Sequence, residues 1–146
     1  MPEIPLKEQL RADLNQARRE RDKLRTTTIT TLLSDMRNRE IELGRDVNDE
    51  EIRAVLSTSI KRRREAAEQM RAGKREELAQ KEDAEAQILQ HYLPPQLAEE
   101  EVRGFVREAI QAGAADLGAV MKAVMPRAKG RFDGKELNRI VREELA

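Results

Sequence analysis

Apolar residues recur along this chain at spacings of three and four, the repeat of an amphipathic helix. Leu6, Leu10, Leu14 and Ala17 mark a first helix. Leu24, Ile29, Leu32, Leu33, Met36 and Ile41 mark a second, after a break between Ala17 and Thr26 where Asp22 offers an N-cap. The threonines Thr26 to Thr28 lower helix propensity without breaking the helix, and Gly44 is its natural stop. VNDEEI then starts a third helix. Asn48 is the cap, Asp49, Glu50 and Glu51 suit the positive helix end, and Val47 with Ile52 forms a hydrophobic staple. The third helix runs through Val55, Leu56, Ile60, Ala66, Ala67 and Met70 to Gly73. A fourth carries Leu78, Ile88, Leu89, Tyr92 and Leu93 on its apolar side. Folding these two back on each other about Gly73 brings Arg63 level with Asp83 and within reach of Glu82 or Glu85, a predicted structural ion pair. KRRREAAE therefore reads first as an ion-pair ladder with a solvated face. Nucleic-acid contact by Lys61 to Arg64 is the weaker reading.

LPPQL interrupts this pattern, because Pro94 and Pro95 cannot continue a helix and Leu93 before them is driven to extended geometry. Three shorter helices follow. The first carries Val102, Phe105, Val106, Ala109 and Ile110. The second, capped by Asp116, carries Leu117, Val120, Met121, Val124 and Met125. The third carries Leu137, Ile140, Val141 and Leu145, and Asp133 with Glu136 has capping-box spacing at its start. The predicted fold is all-α: an N-terminal long-helix bundle with a hairpin over 1–93, then a small three-helix domain over 94–146.

Composition agrees. Of 146 residues, 38% are charged, 38% are apolar and 2% are aromatic, which favours helices around thin aliphatic cores over sheets. Net charge is zero, with nineteen basic and nineteen acidic residues up to Leu93 and nine of each after it. Coating of nucleic acid by bulk charge is thereby excluded, and only a local basic patch remains. The absence of cysteine removes disulfides, thiolate metal sites and cysteine nucleophiles. No basic segment followed by an apolar one opens the chain, and no stretch approaches the roughly 18 apolar residues of a membrane span. The expectation is a cytoplasmic protein without membrane contact, metal or cofactor.

Candidate chemistry is sparse. The single histidine, His91, stands at a helix end, where a capping or surface role is favoured over catalysis. No phosphate-binding glycine motif is present, and no catalytic residue is assigned. What stands out is VMPRAKGRFDGKELN. Lys122, Arg127, Lys129, Arg131 and Lys135 fall within fourteen residues, opposed by Asp133 alone. Phosphate contacts by these side chains would give affinity without sequence readout. Gly130 and Gly134 would admit a close backbone approach, and Phe132 offers a ring for base stacking. The competing reading makes Gly130 a helix C-cap and Phe132 the cover of a small core.

The chain resembles the GatB/YqeY family in its stand-alone YqeY-like form. The resemblance rests on MRNREIELGRDVNDEE, IKRRREAAEQMRAGKREELAQKEDAE and ILQHYLPPQL, and most specifically on GAVMKAVMPRAKGRFDGKELNRIV. Gly118, Val120, Met121, Lys122, Met125, Pro126, Lys129, Gly130, Asp133, Gly134, Asn138 and Val141 fall on the family pattern. Met125, Pro126, Gly130, Asp133, Gly134 and Asn138 form its structural frame. The resemblance implies an all-helical protein whose C-terminal part is like the tail domain of the B subunit of tRNA-dependent amidotransferases. Those are carbon–nitrogen ligases with glutamine as amide donor, in which the tail helps hold tRNA. It implies tRNA as a partner, together with an amidotransferase or another tRNA enzyme. Nothing here corresponds to the large catalytic domain of that subunit, so ligase activity is not expected of this chain alone. Phe132 stands where the family commonly has a small residue, and Ala98 where a serine cap is expected. The competing function is a protein-interaction adaptor that binds no nucleic acid.

Overall fold

The computed structural model describes residues 4–146, which form seven helices and, among those residues, no strand. These are α1 (Leu6–Arg19), α2 (Lys23–Leu43), α3 (Asp49–Ala72), α4 (Glu76–Gln90), α5 (Glu99–Gln111), α6 (Leu117–Ala128) and α7 (Gly134–Leu145). The chain separates into two compact units, one ending at Leu93 and the other starting at Pro94.

Local chemistry sets the helix ends in the first unit. Asp22 caps α2 by accepting from the Arg25 N–H at 3.1 Å. At α3, Asn48 Oδ1 accepts from the Glu51 N–H at 2.8 Å and Glu51 Oε1 accepts from the Asn48 N–H at 3.0 Å, a complete capping box. Arg45 also donates to both Glu51 oxygens, at 2.7 and 3.0 Å. Arg45 first, and the Asn48 N–H second, hold the Glu51 carboxyl down to about 2. Gly44 ends α2 at φ +72°, a left-handed conformation that suits glycine.

Two turns depart from that pattern. Gly73 follows α3, but its φ is −85°, and the left-handed residue of the turn is Lys74 at +61°. Bonds from Arg75 N–H to the Met70 carbonyl and from Lys74 N–H to the Arg71 carbonyl close the helix end around it. Arg21, at φ +59°, does the same between α1 and α2, with Asp22 N–H bonded to the Ala17 carbonyl.

Leu10, Ile29, Leu32, Met36, Ile52, Leu56 and Leu89 are the fully buried centre of this unit. Each such side chain contributes roughly 1.5–3 kcal/mol by leaving water. The core reaches only to Ile60 on α3 and resumes at Ala86 on α4. Between them, residues 61–85 form a two-helix arm whose buried apolar contacts are Ala67 and Ala79. Leu78, expected on the apolar side of α4, is therefore 46% exposed, because only α3 is available to cover that stretch. Ile41, near the end of α2, is likewise exposed.

Ion pairs fix the arm. Arg71 donates to Asp83 at 2.6 Å and lies 3.2 Å from Glu76. Arg63 Nη1 donates to Glu85 Oε2 at 2.6 Å and lies 3.8 Å from Glu82. Among the described residues, Glu85 is the one charged side chain that is buried, and this pair sits at the core edge. Where α4 ends, the Tyr92 hydroxyl donates to Asp13 and ties that end to α1.

The second unit packs α5, α6 and α7 around Val102, Val106, Val120, Val124, Leu137, Ile140 and Val141. Leu97 and Ala128 close its edge.

Arg63→Ala strands the buried Glu85 carboxylate and is expected to cost about 3 kcal/mol in urea unfolding. Arg63→Met with Glu85→Leu removes both charges and should recover most of that loss. A cost below about 1 kcal/mol for Arg63→Ala, the range of exposed pairs, would show that the pair does not hold the hairpin.

Candidate nucleic-acid interface

The basic cluster lies on the exposed side of α6, on the loop into α7 and in the first turn of α7. Asp116 starts α6 by accepting from the Ala119 N–H at 2.8 Å. Pro126 sits inside the helix without an N–H, so the Lys122 carbonyl lacks its usual i+4 donor. The helix stops at Lys129, whose N–H reaches the Met125 carbonyl at 2.8 Å. Gly130 turns the chain at φ +76°, a conformation that a larger residue enters only with strain. Asp133 then caps α7 through the Lys135 N–H at 3.0 Å. The expected capping box does not form, because Asp133 accepts from the N–H two residues on and not from that of Glu136. The Glu136 carboxylate points instead to Arg139, at 2.7 and 3.0 Å, because a bidentate guanidinium is the stronger partner.

The five basic residues divide into two groups. Lys122, Lys129 and Lys135 are exposed. Arg127 is committed to α5: its guanidinium lies 3.6 Å above the Phe105 ring and donates to Glu108 at 2.7 Å. Arg131 is half-buried, and its Nε donates to the Pro95 carbonyl at 3.1 Å. Among the described residues, no carboxylate forms a salt bridge with Lys122, Arg131 or Lys135. Phe132 is half-buried and packs against the second core, the arrangement of the core-cover role. Met125 is 36% exposed, and Pro126 is exposed beside it. Asn138 accepts from Arg142 at 2.7 Å, within α7. Gly134 has a helical φ, and a Cβ built there would meet nothing within 4 Å.

Other cations of this unit are neutralised. Arg103 donates to Glu143 at 2.6 Å and Glu144 at 3.1 Å. Arg107 binds Glu144, and Arg139 binds Glu99, Glu136 and Glu143. These bonds hold the Glu143 and Glu144 carboxyls below the usual range and push the arginines up.

No catalytic constellation accompanies the patch. Among the described residues, no group of three or more candidate ligands is placed to hold a metal ion. No described helix is long and apolar enough to cross a membrane. His91 is an exposed residue at the end of α4, edge-on to Tyr92 at 5.7 Å. In the first unit, an open groove of about 390 Å³ between α2 and α3 is lined by Arg39 paired with Glu42 and by Glu51 paired with Arg45, together with Asp35 and Arg62. Sequence reasoning missed Gln96, Phe105 and Glu108 as neighbours of the cluster. Phe105 and Glu108 share a face of α5 at helical spacing, but nothing in the sequence aligns them with Arg127. The Gln96 side chain meets the Gly130 carbonyl across 34 positions, at 3.3 Å.

A family model for Yqey-like proteins matches residues 7–145. Three curated relatives carry the name "Altered inheritance of mitochondria protein 41, mitochondrial". The Lachancea thermotolerans protein is 34% identical over 58% of this chain, which spans 46% of that protein. The Pyrenophora tritici-repentis protein is 29% identical over 97% of this chain and 82% of its own length. The Clavispora lusitaniae protein is 31% identical over 79% of this chain and 71% of its own. These names overturn the expected cytoplasmic localisation and point to mitochondria. That expectation came from the lack of a secretory signal or membrane span, which does not separate cytosol from mitochondrion. With the seven helices and the residues of VMPRAKGRFDGKELN in place, the match over nearly the whole length has one meaning: the chain belongs to the YqeY-like family.

Proposed function

We propose that this chain is a small helical tRNA-associated module that contacts RNA phosphates through Lys122, Lys129 and Lys135. The observation that carries this reading is a contrast within the second unit. Arg103, Arg107 and Arg139 are matched by carboxylates, while Lys122 on α6 and Lys135 in the first turn of α7 are exposed and, among the described residues, form no salt bridge. A hydrated ammonium on a long stem suits a phosphate contact that does not depend on fixed geometry. The resemblance to an amidotransferase tail domain supports tRNA as the RNA, and an amidotransferase or another tRNA enzyme as the protein partner. The names of the relatives favour a mitochondrial setting. Glutamine-dependent amidation would need the catalytic subunit of such a partner, because no general acid, base or nucleophile converges at this patch.

The test is tRNA binding across a salt series. Lys122→Ala, Lys129→Ala and Lys135→Ala together should weaken binding and make the salt dependence shallower by roughly 0.7–0.9 for each phosphate no longer neutralised. Unchanged affinity and slope would overturn the reading and leave the protein-interaction adaptor. Gly134 supplies a second test. Gly134→Ala meets open space, so thermal unfolding should be unchanged or stabilised by about 0.4–1 kcal/mol. Its tRNA affinity should nevertheless fall if RNA approaches that backbone closely.

A further inference from the structure

The segment leading into α5 and the loop between α6 and α7 are far apart in sequence and are fastened at three points. Arg131 Nε donates to the Pro95 carbonyl at 3.1 Å. The Leu97 N–H donates to the Arg131 carbonyl at 2.8 Å, and Gln96 Nε2 donates to the Gly130 carbonyl at 3.3 Å. Leu97 is itself buried in the second core, which gives the fastening a rigid anchor. Arg131 thus takes part through both its side chain and its main chain. It is also half-buried, whereas Lys129 and Lys135 on either side of it are exposed. The loop it sits in begins at Gly130, whose conformational freedom leaves the path from α6 to α7 loose unless something holds it.

We propose that Arg131 is a positioning residue of the candidate interface. It fastens the α6–α7 loop to the Pro95–Leu97 segment, sets the spacing of Lys129 and Lys135, and does not itself neutralise a phosphate. This role rests on the RNA-binding reading above. Arg131 thereby differs from the lysines although all carry the same charge. A phosphate ligand is replaceable only by another charge. A positioning group is replaceable by any side chain that donates the same hydrogen bond.

Glutamine makes that distinction testable, because its amide nitrogen occupies the same place along the side chain as the Nε of arginine. Arg131→Gln keeps the donor to Pro95 and removes the charge, while Arg131→Met removes both. Binding of tRNA by the full chain is measured over a salt series. Arg131→Gln should stay within about twofold of wild type, and Arg131→Met should lose about fivefold, the equivalent of one hydrogen bond. The salt slope should be unchanged in both. Arg131→Gln binding as weakly as Arg131→Met, with a slope shallower by roughly 0.7–0.9, would make Arg131 a phosphate contact and overturn the proposal.

Amide hydrogen exchange of the free protein reads the fastening without RNA. Protection of the Leu97 N–H should fall in Arg131→Met and hold in Arg131→Gln. Unchanged protection in Arg131→Met would overturn the fastening. A wild-type chain that binds no tRNA would overturn the functional reading, and the positioning role with it, while the exchange result would still decide whether Arg131 holds the loop.

Discussion

Two consecutive residues without an N–H, Pro94 and Pro95, impose the constraint on which the rest of the molecule depends. α4 ends at Gln90, and Pro94 and Pro95 keep the chain from resuming a helix until Glu99, so the apolar side chains before and after lie in separate cores. Leu93 closes the first core and Leu97 opens the second. The same short stretch has a second role, because a residue that cannot donate still accepts. The Pro95 carbonyl takes its hydrogen bond from Arg131, and the Leu97 N–H gives one back to the Arg131 main chain. The break between the units is thus also the fixture for the loop that carries the basic cluster.

With 2% aromatic residues and two aliphatic cores, the helices have little shape-specific packing to set their register. Guanidinium–carboxylate pairs supply it at the core edges. Arg63 with Glu85 does so in the arm, and Arg103, Arg107 and Arg139 do so between α5 and α7. Arginine suits this work because its fork donates in fixed directions to several oxygens at once. Lys7, paired with Glu40, is part-buried, whereas Lys122, Lys129 and Lys135 are exposed. A chain with zero net charge can therefore leave Lys122 and Lys135 without a salt bridge among the described residues, since acids are paired with arginine elsewhere in the fold.

The all-helical fold was legible because its signals are local. Asp22, Asn48 and Asp116 are caps whose partners lie three residues on, and Gly44 is a stop that needs no tertiary context. Failures arose where several residues competed for one role. Gly73 is the expected stop of α3 and does follow it, yet the turn places Lys74 in the left-handed position. Glu136 had capping spacing, but Arg139 one turn later was the stronger partner. Leu78 followed the apolar repeat, but the arm offers it no third helix. At the candidate interface, residue types and spacing revealed the cluster. They did not reveal that Arg127 belongs to α5 or that Arg131 belongs to the Pro95–Leu97 segment, because both depend on bonds between distant stretches.

The central claim is that this YqeY-like chain associates with tRNA through its second unit. Crosslinking in cells tests it most directly, by sequencing the RNA recovered with the chain and mapping the crosslinked peptides. The expected result is tRNA as the dominant class, with crosslinks falling on residues 122–135. Recovery of no RNA above background, or of RNA without tRNA enrichment, would contradict it.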